Sequence, residues 1–314
     1  MVKHSVIIPT YNGASKIAST LSSLERQSFK SFEVIIVVDG STDDTVNRLK
    51  LRKYDFASFE IVVRDNGGRA AARNTGARSA RGEVLIFFDD DVRLSENCVA
   101  AHAEHHDVIL NSVLAGNVYE DPGMMKTDIQ RFRCARSRQH LKILGDRKLC
   151  LAKENLFLSA ANFSIPRAVF ECLGGFDERL MDSEDFDLAV RAFKERFTVY
   201  FDPNLAAWHD DFITCRSYIK RYRDYTTSHE KLMLLKPELY SEFNERQIKP
   251  LRGLKRKLFS LFAHGFWIDM VDNFNWLMIL PRPMRYRIYS YIIASRGSYF
   301  PNEPIFKAQA PRSG

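Results

Sequence analysis

Four runs of consecutive apolar residues, each ending in a polar cluster, limit this chain most. Val6-Ile7-Ile8 gives way to Pro9 and then Thr10-Tyr11-Asn12, and Val34 to Val38 gives way to Asp39-Gly40-Ser41. "FEIVV" leads into Asp65-Asn66, and "VLIFF" into Asp89-Asp90-Asp91. Between them, "ASKIASTLSSLERQ" (Ile17, Leu21 and Leu24 at helical spacing), "TDDTVNRLKLRK" and "GRAAARNTGARSA" read as helices. Apolar runs without polar alternation are buried on both faces, as in a parallel sheet covered by helices. In such sheets ligands bind beyond the carboxyl ends of the strands, which is where the four polar clusters fall. No GxGxxG follows the first run and no GxxxxGK[ST] occurs, which argues against dinucleotide and P-loop sites.

The stretch from 92 to 160 reads as less regular, with a basic, helix-compatible segment "QRFRCARSRQHLK". "SEDFDLAVRAFKER" predicts a helix with Phe186, Ala189, Val190 and Phe193 on one face, and "FTVYFDPNLAAWH" a strand. Three helical segments follow: "RSYIKRYRDYTTSHEKLMLL", "LKRKLFSLFAHGFWIDMVDNF" and "MRYRIYSYIIAS". The last ten residues or so are expected to fray. With 314 residues and 45% hydrophobic content, the chain can bury a sizeable core in one large or two modest domains. The start of the chain carries no signal-peptide pattern. No apolar stretch approaches the roughly 18 residues of a membrane span. Five scattered cysteines without a CxxC pair suit reduced thiols and a cytoplasmic location.

Three adjacent carboxylates at a strand end repel one another unless something compensates them. On an extended segment Asp89 and Asp91 share a side, and such a pair can grip a hard cation through oxygen. A solvated acidic turn is the other reading of the same residues.

Taken in order, "VIIPTYNG", "VVDGSTDDT", "NGGRAAARNTGARSARGEVLIFFDDD", "GGFDERL", "SEDFDLAVR" and "WH" resemble the family 2 glycosyltransferases over roughly residues 4 to 210. The resemblance implies a GT-A fold: an α/β, Rossmann-like, mostly parallel sheet flanked by helices, here with a C-terminal helical extension. It implies a glycosyltransferase domain over 1–212, with a nucleotide-binding half to about 95 and an acceptor and catalytic half over 96–212. A basic, aromatic-rich helical region would then occupy 213–314.

Such enzymes are inverting and metal-dependent. They move a sugar from a nucleotide-diphosphate sugar to a hydroxyl of a glycan or lipid-linked acceptor, here in bacterial surface or extracellular polysaccharide synthesis. A UDP-sugar is the expected donor, ahead of GDP- or dTDP-sugars. The resemblance puts Pro9, Thr10, Tyr11, Asp39, Arg69, Arg73 and Asp90 on the nucleotide-sugar. Asp89, Asp91 and His209 would hold Mn²⁺ or Mg²⁺, with the direct carboxylate contact left open. Asp185 would be the catalytic base, supported by Glu184, and kept ionised by the start of its helix.

Each assignment has a plainer alternative: a turn at Asp39-Gly40, solvated arginines, a structural histidine, a helix cap at Asp185. A catalytically inactive sugar-nucleotide-binding relative and a sugar nucleotidyltransferase are the rival functions.

The net charge of +7 is concentrated late. From Arg246 onward there are 12 Lys or Arg against 3 Asp or Glu, which leaves the preceding part at −2. Aromatics interleave with this charge. Two readings stand: a solvated cationic face, or peripheral contact with anionic lipid at the inner face of the plasma membrane. No nucleic-acid reader motif is present, and none is expected to bind.

Overall fold

The computed structural model describes residues 2–209, 212–243 and 250–301. Strands β1 (His4–Thr10), β2 (Phe32–Asp39), β3 (Ser58–Arg64) and β4 (Val84–Phe88) are parallel in the order β3-β2-β1-β4. Helices α1 (Ile17–Glu25), α2 (Thr45–Leu51) and α3 (Arg69–Ser79) make the crossovers.

The strands are apolar throughout because both faces are covered. Ile7, Ile35, Val37, Leu85 and Phe87 pack under α3, α6 (Arg167–Cys172) and α7 (Glu184–Lys194). Their neighbours Val6, Ile8, Val34, Ile36, Ile86 and Phe88 pack on the opposite face under α1 and α4 (Cys98–Val108). This is the two-residue alternation of a strand, with an apolar partner for each side.

The parallel order expected from the sequence holds as far as β4, and beyond it the sheet is mixed. Among the described residues nine strands form one sheet. It is completed by β5 (Val92–Leu94), β6 (Ser112–Glu120), β7 (Leu149–Cys150), β8 (Asn162–Pro166) and β9 (Thr198–His209). β8 runs antiparallel to both β4 and β6, β9 runs parallel to β6, and β5 and β7 pair antiparallel with β9.

The stretch expected to be irregular therefore holds two helices and sheet strands. Its basic segment is α5 (Asp128–Leu144), opened by a reciprocal cap between Thr127 and Gln130.

The C-terminal part is helical: α8 (Cys215–Leu235), α9 (Pro237–Tyr240), α10 (Gly253–Phe262), α11 (Phe266–Asp272) and α12 (Arg282–Ala294). The predicted segment spanning α10 and α11 breaks between them, at His264-Gly265. Leu232 and Tyr240 join the core above α7. Ile219, Phe262, Ile268, Tyr289 and Ile292 form a separate cluster with Ile129 and Phe132 of α5. Asp272 fastens α11 to α8 by accepting the backbone N–H groups of Cys215 (2.6 Å) and Arg216 (3.0 Å). The fraying expected of the last residues lies outside the described residues.

Candidate active site

The carboxyl ends of β1, β2 and β4 open into a cleft of about 640 Å³. Pro9, Thr10, Tyr11, Asp39, Arg69, Asp89, Asp90 and Asp91 all line it, so most residues predicted for nucleotide or metal meet in one place. Two tight turns make this possible. Gly40 has φ +69°, and a Cβ there would sit 2.6 Å from the Asn66 backbone nitrogen. A Cβ on Gly13 would come within 2.0 Å of the Thr10 hydroxyl oxygen. Neither position admits a side chain.

The three aspartates have separate surroundings. Asp90 is buried; its carboxylate accepts a 2.5 Å hydrogen bond from Thr10 Oγ1 and pairs with Lys16 Nζ at 2.9 Å. Burial pushes its pKa up, and Lys16 opposes the shift. Asp89 is held at 2.6 Å by Arg73. Burial works against its charge, but Arg73, Arg69 and His209 together hold its pKa below the usual carboxylate value. Asp91 lies 3.5 Å from His209 Nε2. The pairing of Val92 with His209 across β5 and β9 brings that imidazole up to Asp91, while His209 itself lines a small neighbouring pocket and not the cleft. One ligand atom each from Asp89, Asp91 and His209 falls within 4.8 Å of the others, a set of two hard oxygens and one imidazole nitrogen that fits a divalent cation.

Arg73 does not take the phosphate-facing place expected from sequence. It is 2% exposed and absent from the cleft wall. One terminal nitrogen reaches Asp89 and the other reaches Glu184 Oε1, each at 2.6 Å. A guanidinium fork between two carboxylates fixes the end of β4 against the start of α7.

Asp39 is likewise occupied. It accepts the backbone N–H groups of Gly67 (3.0 Å) and Gly68 (2.8 Å), which shapes the entry to α3, and its buried carboxylate still edges the cleft.

Asp185 lies in the first turn of α7, two residues after Ser183, which is held in the left-handed region at φ +64°. A non-glycine residue there is a strained junction of the kind found at functional sites. The Asp185 carboxylate accepts N–H groups from Ala160 (3.2 Å) and Phe186 (2.7 Å). Burial, and then the charge of Glu184, push its pKa up from 3.8 to about 7. This corrects the expectation that the helix start would keep it firmly ionised, because desolvation outweighs the dipole and the two hydrogen bonds.

Sequence reasoning missed the opposite wall. Asp224, Thr227, Ser228 and Lys231 of α8 line the cleft together with Met181 and Asp182. Their spacing along α8 is a polar helical stripe, which was the available signal, but such a stripe ordinarily faces water. A further clamp was also missed. Buried Asp187 accepts from Arg191 Nε (2.7 Å), Lys236 Nζ (2.6 Å) and Tyr240 Oη (2.7 Å), which ties α7 to α8 and α9.

The family model described as glycosyl transferase family 2 matches residues 5–174. The chain belongs to that family. It is 34% identical over 146 residues to the glycosyltransferase YfnE of Bacillus subtilis, covering 46% of this chain and 37% of YfnE. It is 23% identical over 271 residues to the O-antigen chain rhamnosyltransferase RfbN of Salmonella typhimurium, covering 85% and 84%. The chain spans 37%, 64% and 60% of the lengths of three curated relatives it matches.

Two solved structures share its fold. One is a mannosyltransferase from Pyrobaculum calidifontis in complex with GDP-Man and Mn²⁺, with TM-score 0.64, 18% identity and coverage of 95% and 87%. The other is TarS of S. aureus in complex with UDP, with TM-score 0.55, 19% identity and coverage of 93% and 88%. The family 2 chain thus carries a GT-A fold, a central sheet flanked by helices.

Proposed function

We propose that this family 2 chain is an inverting, metal-dependent glycosyltransferase that moves a sugar from a nucleotide-diphosphate sugar to a hydroxyl of a glycan or lipid-linked acceptor. The observation that carries the reading is the Asp89, Asp91 and His209 group, whose two aspartates line the cleft and whose Asp89 is bridged by Arg73 to Glu184, beside Asp185. Tyr11, half-exposed on the cleft wall, offers a ring face to a base, and Arg69 a guanidinium to phosphate oxygens. A divalent cation, Mn²⁺ or Mg²⁺, held by Asp89, Asp91 and His209 would supply positive charge to a leaving diphosphate. Asp185 would take the acceptor hydroxyl's proton as that oxygen bonds the anomeric carbon. The bond to the diphosphate oxygen breaks, and its electron pair leaves with the nucleoside diphosphate. A pKa near 7 suits a general base at neutral pH.

Complexes of the fold-sharing neighbours with UDP, UDP-GlcNAc and GDP-Man support a nucleotide-sugar donor, and we favour UDP. The test is a thermal-shift titration with UDP, GDP and dTDP, each with Mn²⁺, with Mg²⁺ or with EDTA. Ligand at about a hundred times Kd adds roughly 2.7 kcal/mol of stability. A metal-dependent rise with one nucleotide is expected; no rise with any of them would overturn the donor reading.

No described helix is long and apolar enough to cross a membrane. Leu254, Leu258, Leu261, Phe266, Trp276 and Ile279 nevertheless stand exposed in the basic C-terminal part. That combination supports peripheral contact with the anionic inner face of the plasma membrane, and so a cytoplasmic working site for surface polysaccharide synthesis. Flotation with anionic but not neutral vesicles is expected; flotation with neither removes the idea.

A further inference from the structure

A second cleft of about 330 Å³ adjoins the first and shares Arg69, Asp182 and Asp224 with it. The charge balance reverses between the two. The main cleft is lined by six carboxylates (Asp39, Asp89, Asp90, Asp91, Asp182, Asp224) against three cations. Among the described residues the second is lined by four cations (Arg69, Arg133, Lys220, Arg221) against two carboxylates. Of those four, Arg133 is engaged by Glu120 at 3.0 Å. Arg69 also faces the main cleft, where its charge acts on Asp89, so Lys220 and Arg221 are the cations left to the second cleft, and neither makes an ion pair among the described residues. Like charges left together at the surface repel, and an anion between them relieves that repulsion.

We infer that this second cleft binds a phosphate group carried by the acceptor. The inference rests on the donor reading of the main cleft. A surplus of carboxylates suits a diphosphate that arrives with a cation, whereas a surplus of guanidinium and ammonium groups suits a bare phosphate. The placement agrees with this role. Asp182, on the short approach to Asp185, lines both clefts, so a molecule anchored on Lys220 and Arg221 lies alongside the wall that leads to the base. Tyr218 and Ser217 add an aromatic face and a hydroxyl, the usual furniture for a sugar ring next to its phosphate.

The test uses the full chain and inorganic phosphate, followed by isothermal titration calorimetry in metal-free buffer and again with saturating UDP and Mg²⁺. Binding is expected to persist when UDP is present and to weaken by roughly tenfold in a Lys220→Glu, Arg221→Glu double variant. UDP-induced thermal stabilisation should be unchanged in that variant, which also shows that it folds. Binding abolished by UDP with Mg²⁺ would mean that phosphate occupies only the donor site, and binding unaffected by the double variant would place it elsewhere; either overturns the inference. If UDP itself does not bind with Mg²⁺ or Mn²⁺ present, the donor reading has failed, while the phosphate and variant measurements still report on this cleft. Competition by glycerol phosphate would indicate a glycan-borne phosphate, and competition by a short-chain isoprenyl phosphate alone a lipid-borne one. Displacement by neither overturns the assignment to an acceptor.

Discussion

The two walls of the main cleft are built on different physics. The strand-end wall is made of carboxylates that are buried or half-buried and already fastened: Asp39 to backbone N–H groups, Asp90 to Thr10 and Lys16, Asp89 to Arg73. The α8 wall presents a polar stripe, with Asp224, Thr227 and Lys231 exposed. A wall whose groups are pinned before substrate arrives pays little reorganisation during a reaction and suits chemistry. Exposed side chains on one helix face can change without disturbing a core, which suits discrimination between substrates.

The largest effect expected from this contrast is at Asp185. Asp185→Asn should lower kcat by roughly 10²–10⁴-fold while nucleotide affinity stays the same, measured by steady-state turnover and calorimetry. Wild-type activity should rise with pH through a limb centred near 7, since the carboxylate is the active form. Stability should run the other way. The folded group holds its proton well above the ordinary 3.8, so folding loses free energy as pH climbs from about 4 to about 7. Asn cannot ionise. The Tm gain of the variant over wild type should therefore be larger at pH 8 than at pH 5, and an equal gain at both would contradict the raised pKa.

Next in size is Arg73→Met, which leaves Asp89 and Glu184 facing each other without their shared cation. Removing one partner from a buried ion pair costs roughly 3–5 kcal/mol, readable as a lower urea midpoint. A loss under about 1 kcal/mol would mean that the strand-end wall is not pinned as described.

The smallest effect belongs to the other wall. Lys231→Ala should move stability by no more than about 0.5 kcal/mol and alter KM more than kcat. A collapse in kcat would erase the distinction between the walls.

The same contrast explains what was legible in the sequence. β1 to β4, the crossover helices and the polar strand ends announce themselves, because continuous apolar runs have few structural alternatives. α4 did not. Its segment "CVAAHAEHHDV" looks polar, yet His102, His105 and His106 are buried. Burial holds them neutral, with pKa values of about 3, about 3 and about 4, while Ser164, Asn162 and Ser112 take up ring nitrogens. A histidine counted as polar in a pattern can thus be core in the fold. The cleft's metal-type group was legible because its carboxylates lie close in sequence and its histidine ends a strand. The α8 wall was not, because nothing local tells a polar stripe facing a cleft from one facing water. Arg73 was read as reaching outward because the sequence does not show that Asp89 and Glu184 would converge on it.

Asp187 has a mechanical consequence. It sits on the same short helix as Asp185, gripped from the far side by Lys236 and Tyr240. Those two residues end the helix pair that carries the polar wall. Asp185, the proposed proton acceptor, and the polar wall of α8 are therefore linked through Asp187. A tilt of the C-terminal helices, whatever leans on them, would thus be felt at α7, whose Leu188 and Val190 share a core with the sheet.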